Sequence, residues 1–350
     1  MNHLFRKEHL TAATLILLCL ALLCRPAAAV QGFAEGARLC TGSLLPALFP
    51  FMVVCEMLAS MPIPRHLLHP LAHLMGLHSE KAAAALLASW LGGYAVCARM
   101  TANLCRSGRI GERDAALLTL LGCCSGPGFV VGYIGGLLLG NTALGLLLYG
   151  LQLAANLLAV GFCLPLLPTG AAEKEKPSVE QKPVALPQAI SNAAETCLTL
   201  CACVIFFRVV AAVLLQVLPL PGKAEPWLSA LCEVTAGCAA FAQTGGAAAL
   251  YGICFTLSLL GFSVWSQLRL LLQGQVPMRL LLLSRGLHAL LFPFMVRLLL
   301  WVLPDNLAVY SSLSNRVVPL CRLPPDAAMV AAIFLCTLLY KGYKNFYNII

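Results

Sequence analysis

Long apolar runs constrain the fold of this 350-residue chain more than any other feature. Several exceed eighteen residues, which is the length a helix needs to cross a bilayer. Only 11% of the residues are charged, whereas a soluble domain carries roughly a quarter. The short alternating segments of a membrane β-barrel do not occur in the sequence. The sequence therefore predicts an all-α, polytopic helical membrane protein.

Ten apolar segments are candidates for membrane elements. Two of them, 82–104 and 227–243, differ from the rest: Gly92 and Gly93 interrupt the first, and the second is short for a crossing of about 30 Å. If both are re-entrant hairpins, most Lys and Arg residues lie on the cytoplasmic side, as the positive-inside rule requires. We therefore predict two re-entrant segments and cytoplasmic N- and C-termini. The eight predicted spanning helices are 9–30, 39–60, 115–139, 143–167, 189–218, 247–268, 280–303 and 326–340.

A polar linker is predicted to join two membrane halves. Segment 169–188 is rich in Pro, Glu and Lys, which is typical of a flexible cytoplasmic connection. It separates the first half, 35–168, from the second, 189–303. A signal-anchor helix, 1–34, precedes them, and a C-terminal helix with a cytoplasmic tail, 304–350, follows. Cleavage near Ala29 stays open, because a charged head, a short apolar run and an AxA sequence also characterise signal peptides.

The two halves repeat one order of elements: helix, re-entrant segment, glycine-broken helix, helix. Both broken helices contain the pattern SxxGF, at Ser125–Phe129 and Ser258–Phe262. The predicted topology gives the halves opposite orientations. This is an inverted-topology repeat, a common plan of secondary transporters.

The first broken helix, within 120–140, contains seven glycines and one proline. Such residues weaken helices, and unwound backbone is tolerated at membrane depth where it is buried in protein or lines a watery cavity. We interpret Ser125-Gly126-Pro127-Gly128 as an unwound solute site, because proline removes a hydrogen bond without aiding packing. Close packing of small residues is the alternative, and it is our interpretation of Gly132–Gly136.

Polar side chains at membrane depth usually face a cavity or a partner. Glu233 is a candidate for a proton or cation site; a buried ion pair with Arg99, holding the hairpins together, is the alternative. Glu56, Arg208 and Arg297 are expected to snorkel or to pair between helices. Further polar residues predicted to line a cavity or to bond between helices are Asn141, Gln152, Asn156, Asn192, Glu195, Gln243, Gln267, Arg285 and His288.

Other function classes find no support in the sequence. A GxSxG elbow and a GxxxxGK[ST] loop are absent, so we predict neither an enzyme nor nucleotide hydrolysis. The net charge of +9 comes without a basic patch interleaved with aromatics, which argues against nucleic acid. The seventeen cysteines lack metal-ligand spacing, and His66, His69 and His73 fit an interfacial amphipathic helix better than a metal site. No metal or other cofactor is predicted.

Five stretches resemble a known family when they are taken in order. They are LLPALFPFMVV (44–54), GGYAVCAR (92–99), CSGPGFVVG (124–132), LCEVTAGC (231–238) and SLLGFSVWSQ (258–267). Together they resemble the sporulation integral membrane protein family (YlbJ-like), whose members carry the nucleoside-recognition Gate domain, over roughly residues 35 to 300. Gate domains also occur in concentrative nucleoside transporters and ferrous-iron permeases. The resemblance implies a permease-like membrane domain without naming its substrate.

We therefore expect a multi-pass permease of the cell membrane that moves a small polar solute without nucleotide hydrolysis. Its expected partners are the lipid bilayer, the solute and a coupling ion, and homo-oligomerisation stays open. The alternative is a non-transporting membrane scaffold for sporulation or envelope assembly. The predicted solute-binding residues are Gly92, Gly93, Tyr94, Arg99, Ser125, Gly126, Pro127, Gly128, Glu233, Thr235, Gly237, Ser258, Gly261 and Gln267.

Overall fold

The computed structural model describes residues 2–61, 65–168, 184–218 and 221–302. These ranges form fourteen α-helices and no β-strand, which confirms the all-α prediction for the described part of the chain. The predicted span 326–340, the C-terminal tail and most of the predicted linker lie outside these residues. The helices are α1 (Asn2–Cys24), α2 (Pro26–Leu39), α3 (Leu45–Ser60), α4 (Arg65–Met75), α5 (Glu80–Gly92), α6 (Tyr94–Arg106), α7 (Glu112–Gly122), α8 (Thr142–Cys163), α9 (Leu186–Val217), α10 (Glu225–Cys232), α11 (Val234–Ala242), α12 (Gly246–Leu259), α13 (Gly261–Leu272) and α14 (Met278–Val302). Two π-helical segments, Cys40–Leu44 and Gly128–Leu138, and two short 3₁₀ turns, Leu164–Leu166 and Gly222–Ala224, complete them.

Four stretches of helix are long and apolar enough to cross a bilayer. They match the predicted spans 143–167, 189–218, 247–268 and 280–303. They also leave large apolar side chains exposed: Leu198 on α9 is 73% exposed, and Trp301 on α14 is 77% exposed. Exposed apolar faces on such helices suggest contact with lipid. The described residues thus have the character of a multi-pass membrane protein. The four stretches are Thr142–Leu166, Leu186–Val217, Gly246–Leu272 and Met278–Trp301.

The other predicted spans differ from expectation. The span 9–30 is wrong as one helix, because α1 ends at Cys24 and the axis turns by 96° before the chain continues as Pro26–Leu44. Pro26 explains the bend, since it has no N–H to donate and it restricts the backbone of the residue before it. Counted as one bent span, this pair raises the number of candidate spans to five. The predicted spans 39–60 and 115–139 are each divided into shorter helical pieces.

The segment 80–106 begins and ends at the same end of the molecule. Its two helices, α5 and α6, are separated by Gly93, whose φ of 83° is one that side-chain-bearing residues rarely adopt. The carboxylate of Asp114, in the first turn of α7, accepts hydrogen bonds from the backbone N–H groups of His78 (2.9 Å) and Ser79 (2.8 Å), just ahead of α5. Because the loop 107–111 leads from α6 directly into α7, both outer ends of the segment lie beside Asp114.

The segment 225–242 is a second helical hairpin. Its helices α10 and α11 meet at Glu233, which has extended backbone. Trp227 in the first turn of α10 packs edge-on against Phe241 in the last turn of α11, with ring centroids 4.9 Å apart. The start of α10 and the end of α11 are therefore adjacent.

The N-terminal region is fixed to the second half by close backbone packing of α2 on α9. A Cβ atom built on Gly32 would lie 2.9 Å from Val209 Cα, and one on Gly36 would lie 2.9 Å from Ile205 Cα. Small residues four apart allow such approach between helices. An ion pair between Glu35 and Arg208 closes the same interface. Glycine packing of this kind also holds Gly135 against Gly145 of α8.

Candidate functional site

In both halves the tip of a hairpin touches an interrupted helix through backbone alone. In the first half, a Cβ atom on Gly126 would lie 2.8 Å from Leu91 O and 3.2 Å from Gly93 N. In the second half, a Cβ atom on Gly261 would lie 3.0 Å from Ala230 O and 3.2 Å from Glu233 N. We call each of these contacts a tip-to-break contact. Both require glycine on the side of the interrupted helix.

The local hydrogen bonding of the two tips is also alike. The N–H of Gly93 donates to Ser89 O at 2.7 Å, and the N–H of Glu233 donates to Ser229 O at 2.8 Å. Gly93 and Glu233 are thus equivalent positions. The tip-to-break contacts make Gly126 the counterpart of Gly261, whereas the SxxGF pattern aligns Gly128 with Gly261. The structural register differs from the sequence register by two residues.

Side chains satisfy the carbonyl groups that the first interruption frees. The helix ends at Gly122 and resumes at Gly128, where proline and glycine predicted a break. Asn156 Nδ2 donates to the carbonyls of Leu120 (3.1 Å) and Leu121 (2.9 Å), and Gln152 Nε2 donates to Ser125 O at 2.9 Å. The indole of Trp90 adds a bond to Leu121 O at 3.1 Å. The unwound backbone is therefore held by protein groups on one side, as membrane depth requires.

The second interruption is a single left-handed step. Leu260 and Gly261 both have a φ of 67°, and such a conformation is strained for leucine. The indole N–H of Trp265 donates to Leu259 O at 2.8 Å, which satisfies a carbonyl at the end of α12. A tryptophan thus supports each break, a feature that sequence reasoning missed.

A small cavity lies between the hairpin tips, and we call it the inner cavity. It offers about 30 Å³ to the centres of water molecules, which is room for roughly two waters. The hydroxyl-bearing residues Ser125 and Thr235 line it, and the Ser125 Oγ has no hydrogen-bond partner among the described residues. Six predicted site residues meet here: Gly92, Gly93, Tyr94, Ser125, Gly126 and Thr235. Unpredicted lining residues come from the segment 44–52 and from α9, among them Leu48, Met52, Cys197, Leu200 and Cys201.

A second, wider pocket, here the vestibule, opens at the end of the molecule where α6 and α13 finish. It offers about 280 Å³ to water and is lined by the predicted residues Arg99 and Gln267. Ala95 and Leu200 line both the vestibule and the inner cavity. Their side chains therefore lie between the two spaces. Further polar groups of the vestibule are Asn103, Arg106, Glu195, Thr196, Thr199 and Gln273.

The two predicted charges of the hairpins do not pair with each other. Glu233 is 1% exposed, and its carboxylate accepts hydrogen bonds from the backbone N–H groups of Thr235 (2.9 Å) and Ala236 (2.6 Å). It thereby caps the N-terminus of α11. Arg99 instead lies 3.4 Å from Glu56. The Arg99–Glu233 ion pair is wrong, because the positive end of a helix already neutralises the glutamate.

Arg99 also binds α9, so it ties the first hairpin to two other helices. Its Nη1 donates to Thr196 Oγ1 at 2.6 Å and to Asn192 O at 2.9 Å. The expectation that Glu56 and Arg208 each pair between helices is confirmed: Glu56 pairs with Arg99, and Arg208 pairs with Glu35.

The remaining predicted site residues lie around the cavities but line neither of them. Pro127 and Gly128 begin the π-helical segment. Gly237 is a packing residue, since a Cβ atom there would lie 2.4 Å from Ala230 Cα. Ser258 Oγ lies 2.7 Å from His288 Nδ1. Glu233 and Gly261 belong to the second tip-to-break contact described above.

Comparison with known proteins assigns no family to this arrangement. No protein-family model, curated protein or solved structure matches the chain. Among the residues that the structure describes, no three His, Cys, Asp or Glu side chains come together as metal ligands.

Proposed function

We propose that this protein is a multi-pass membrane permease that moves a small polar solute without nucleotide hydrolysis. The single observation that carries this proposal is the pair of tip-to-break contacts, of which the first lines one cavity together with Thr235 of the second hairpin. A transporter places its solute where interrupted helices offer free backbone groups. Here the N–H groups of Ser125 and Gly126 donate no hydrogen bond to the described residues.

The proposed topology is an inverted repeat with two re-entrant hairpins. The first hairpin has its outer ends beside Asp114, at the vestibule end, where α13 also finishes. The second hairpin has its outer ends at Trp227 and Phe241, from which α12 runs back towards the vestibule. The halves would then face opposite sides, and the vestibule, lined by Arg99 and Arg106, would face the cytoplasm together with both termini.

The size of the inner cavity narrows the choice of solute. Room for roughly two waters admits a solute of a few heavy atoms, and a nucleoside would require the hairpins to move apart. The first probes should therefore be small. We propose formate, urea, chloride and Mn²⁺. Uridine tests the hypothesis that the solute is a nucleoside.

Uptake into proteoliposomes tests the proposal. Thr235→Val removes the hydroxyl contributed by the second hairpin and keeps the side-chain shape, so uptake of the transported probe should fall by about tenfold for a barrier change near 1.4 kcal/mol. Thr41→Val is the matched control, because Thr41 is exposed and its hydroxyl bonds within its own helix. Equal uptake by the two variants, or no uptake of any probe by the unmodified protein, would count against a permease.

A non-transporting membrane scaffold is the second candidate. The observation in its favour is the tight inner cavity, which a purely structural core would also have. For either activity we propose a role in sporulation or envelope assembly, on the ground of the resemblance to the sporulation family alone. A scaffold predicts that Thr235→Val leaves every cellular phenotype unchanged.

A further inference from the structure

Arg285 of α14 is a buried cation whose charge meets no carboxylate among the described residues. The residue is 1% exposed, and its hydrogen-bond partner is the Asn156 side-chain oxygen. Its Nε and Nη1 donors have no partner in the described part of the chain. A guanidinium stays charged inside a protein, and burying it without an opposite charge is strongly unfavourable. The arrangement therefore calls for a negative charge at this place.

Arg285 is connected to the first break through Asn156, which bonds both to Arg285 and to the carbonyls of Leu120 and Leu121, and this break holds further polar atoms that lack partners. Ser125 Oγ and Gln152 Oε1 are buried and make no hydrogen bond within the described residues. The Cys124 thiol lies beside the guanidinium, and the next residue, Ser125, lines the inner cavity. The free N–H groups of Ser125 and Gly126 belong to the same break. The first break thus contributes a hydroxyl and two N–H groups without partners, on the chain segment that Arg285 contacts through Cys124.

One helix end at the break adds to this positive character. The π-helical segment starts at Gly128, directly after the break, so the positive end of its dipole is close to Ser125, whereas the freed carbonyls at the negative end of α7 are already bonded by Asn156 and Trp90. Glu233, the fully buried glutamate among the described residues, does not compensate, because its carboxylate is occupied at the N-terminus of α11. Unwound backbone N–H groups together with an arginine are a usual arrangement for binding anions.

We propose that Arg285, Ser125 and the freed N–H groups of the first break bind a small monovalent anion. Chloride and the carboxylate of a solute such as formate share the required chemistry, a compact negative charge that accepts hydrogen bonds from several donors. Ser125 also lines the inner cavity of about 30 Å³, which has room for a ligand of this size; Arg285 is not among its lining residues, so it contacts the break from the side of Cys124. The inference rests on the proposed function in so far as the bound anion is the transported solute.

Anion-dependent stability of the purified full-length protein in detergent tests the site. Raising chloride or formate from about 1 to about 100 mM at constant sodium, with gluconate as the replacement anion, should raise the Tm by about 5 °C if the dissociation constant is near 1 mM. Arg285→Met should abolish this response while leaving the Tm in gluconate no lower than that of the unmodified protein. Arg297→Met, a change at an exposed arginine of the same helix, should retain the response.

Each outcome decides the proposal. If only chloride raises the Tm, the site binds halides; if only formate raises it, the site binds carboxylates. Either result supports the inference. An equal response in Arg285→Met, or no response in the unmodified protein, overturns it. If the response depends on Arg285 but no probe is taken up into proteoliposomes, the anion site stands and the permease fails. If a neutral solute is taken up without any anion response, the permease stands and this inference fails.

Discussion

At the scale of single residues, Glu233 stabilises α11 by accepting hydrogen bonds from two backbone N–H groups at its N-terminus. Glu233→Gln removes the charge and one acceptor at the N-terminus of α11, so we expect a loss of about 1–2 kcal/mol in the free energy of unfolding. Thermal unfolding in detergent measures it. Glu225→Gln is the control, because Glu225 is an exposed residue in the first turn of α10. Equal Tm values for the two variants would contradict the capping role.

The second tip-to-break contact requires glycine at position 261. Gly261→Ala combines a φ of 67° with a Cβ atom 3.0 Å from Ala230 O, and should cost about 1–3 kcal/mol. Gly161→Ala, at an open position of α8, should instead gain about 0.5–1 kcal/mol from helix propensity. Chemical or thermal unfolding compares them. A tolerated Gly261→Ala would mean that the tip and the break are not in contact.

The sequence predicted backbone features of individual residues better than it predicted side-chain partners. Gly93, Pro127 and Gly261 mark interruptions because glycine and proline act on their own backbone, wherever they lie. The partner of Arg99 depended on tertiary structure, since Glu56 and Glu233 were both acidic residues at similar depth. The left-handed Leu260 gave no signal at all, because leucine does not favour that conformation.

At the scale of elements, the hairpins make a prediction about accessibility. Sites for a specific protease inserted at Gly76 and Gly108 flank the segment 80–106, and both should be cut from the same side of sealed vesicles. A site at Gly245, in the turn after α11, should be cut from the opposite side. Immunoblots of cleavage with protease outside or inside the vesicles measure this. Cleavage of the Gly76 and Gly108 sites from opposite sides would show that the segment crosses the membrane.

The elements that the sequence predicted correctly as spans were those with a continuous apolar run. The spans 143–167, 189–218, 247–268 and 280–303 correspond to helices in the structure. The bend between α1 and α2 was missed, although Arg25 and Pro26 stand at it, because the small apolar residues after the proline were counted with the run that ends at Cys24. The π-helical segment Gly128–Leu138 has no sequence signature beyond its glycines.

At the scale of the whole molecule, the vestibule and the inner cavity share Leu200 as a lining residue, and the proposed permease would pass its solute between them. Leu200 is 7% exposed, and it lines both spaces together with Ala95. In a permease that alternates its access, this constriction sets part of the barrier between the vestibule and the tips. In a scaffold the same side chain packs in the core, and truncating it would only lower the free energy of unfolding.

Leu200→Ala distinguishes a permease from a scaffold, because in a permease it should lower the stability and raise the solute flux. Truncation of a buried leucine should cost about 2–5 kcal/mol of unfolding free energy. It should also join the two cavities, so that formate or urea enters proteoliposomes about tenfold faster if the leucine contributes roughly 1.4 kcal/mol to the barrier. Leu198→Ala, at a site 73% exposed on the same helix, should change neither quantity. A less stable Leu200→Ala protein with unchanged or slower flux would show that no solute passes between the vestibule and the hairpin tips.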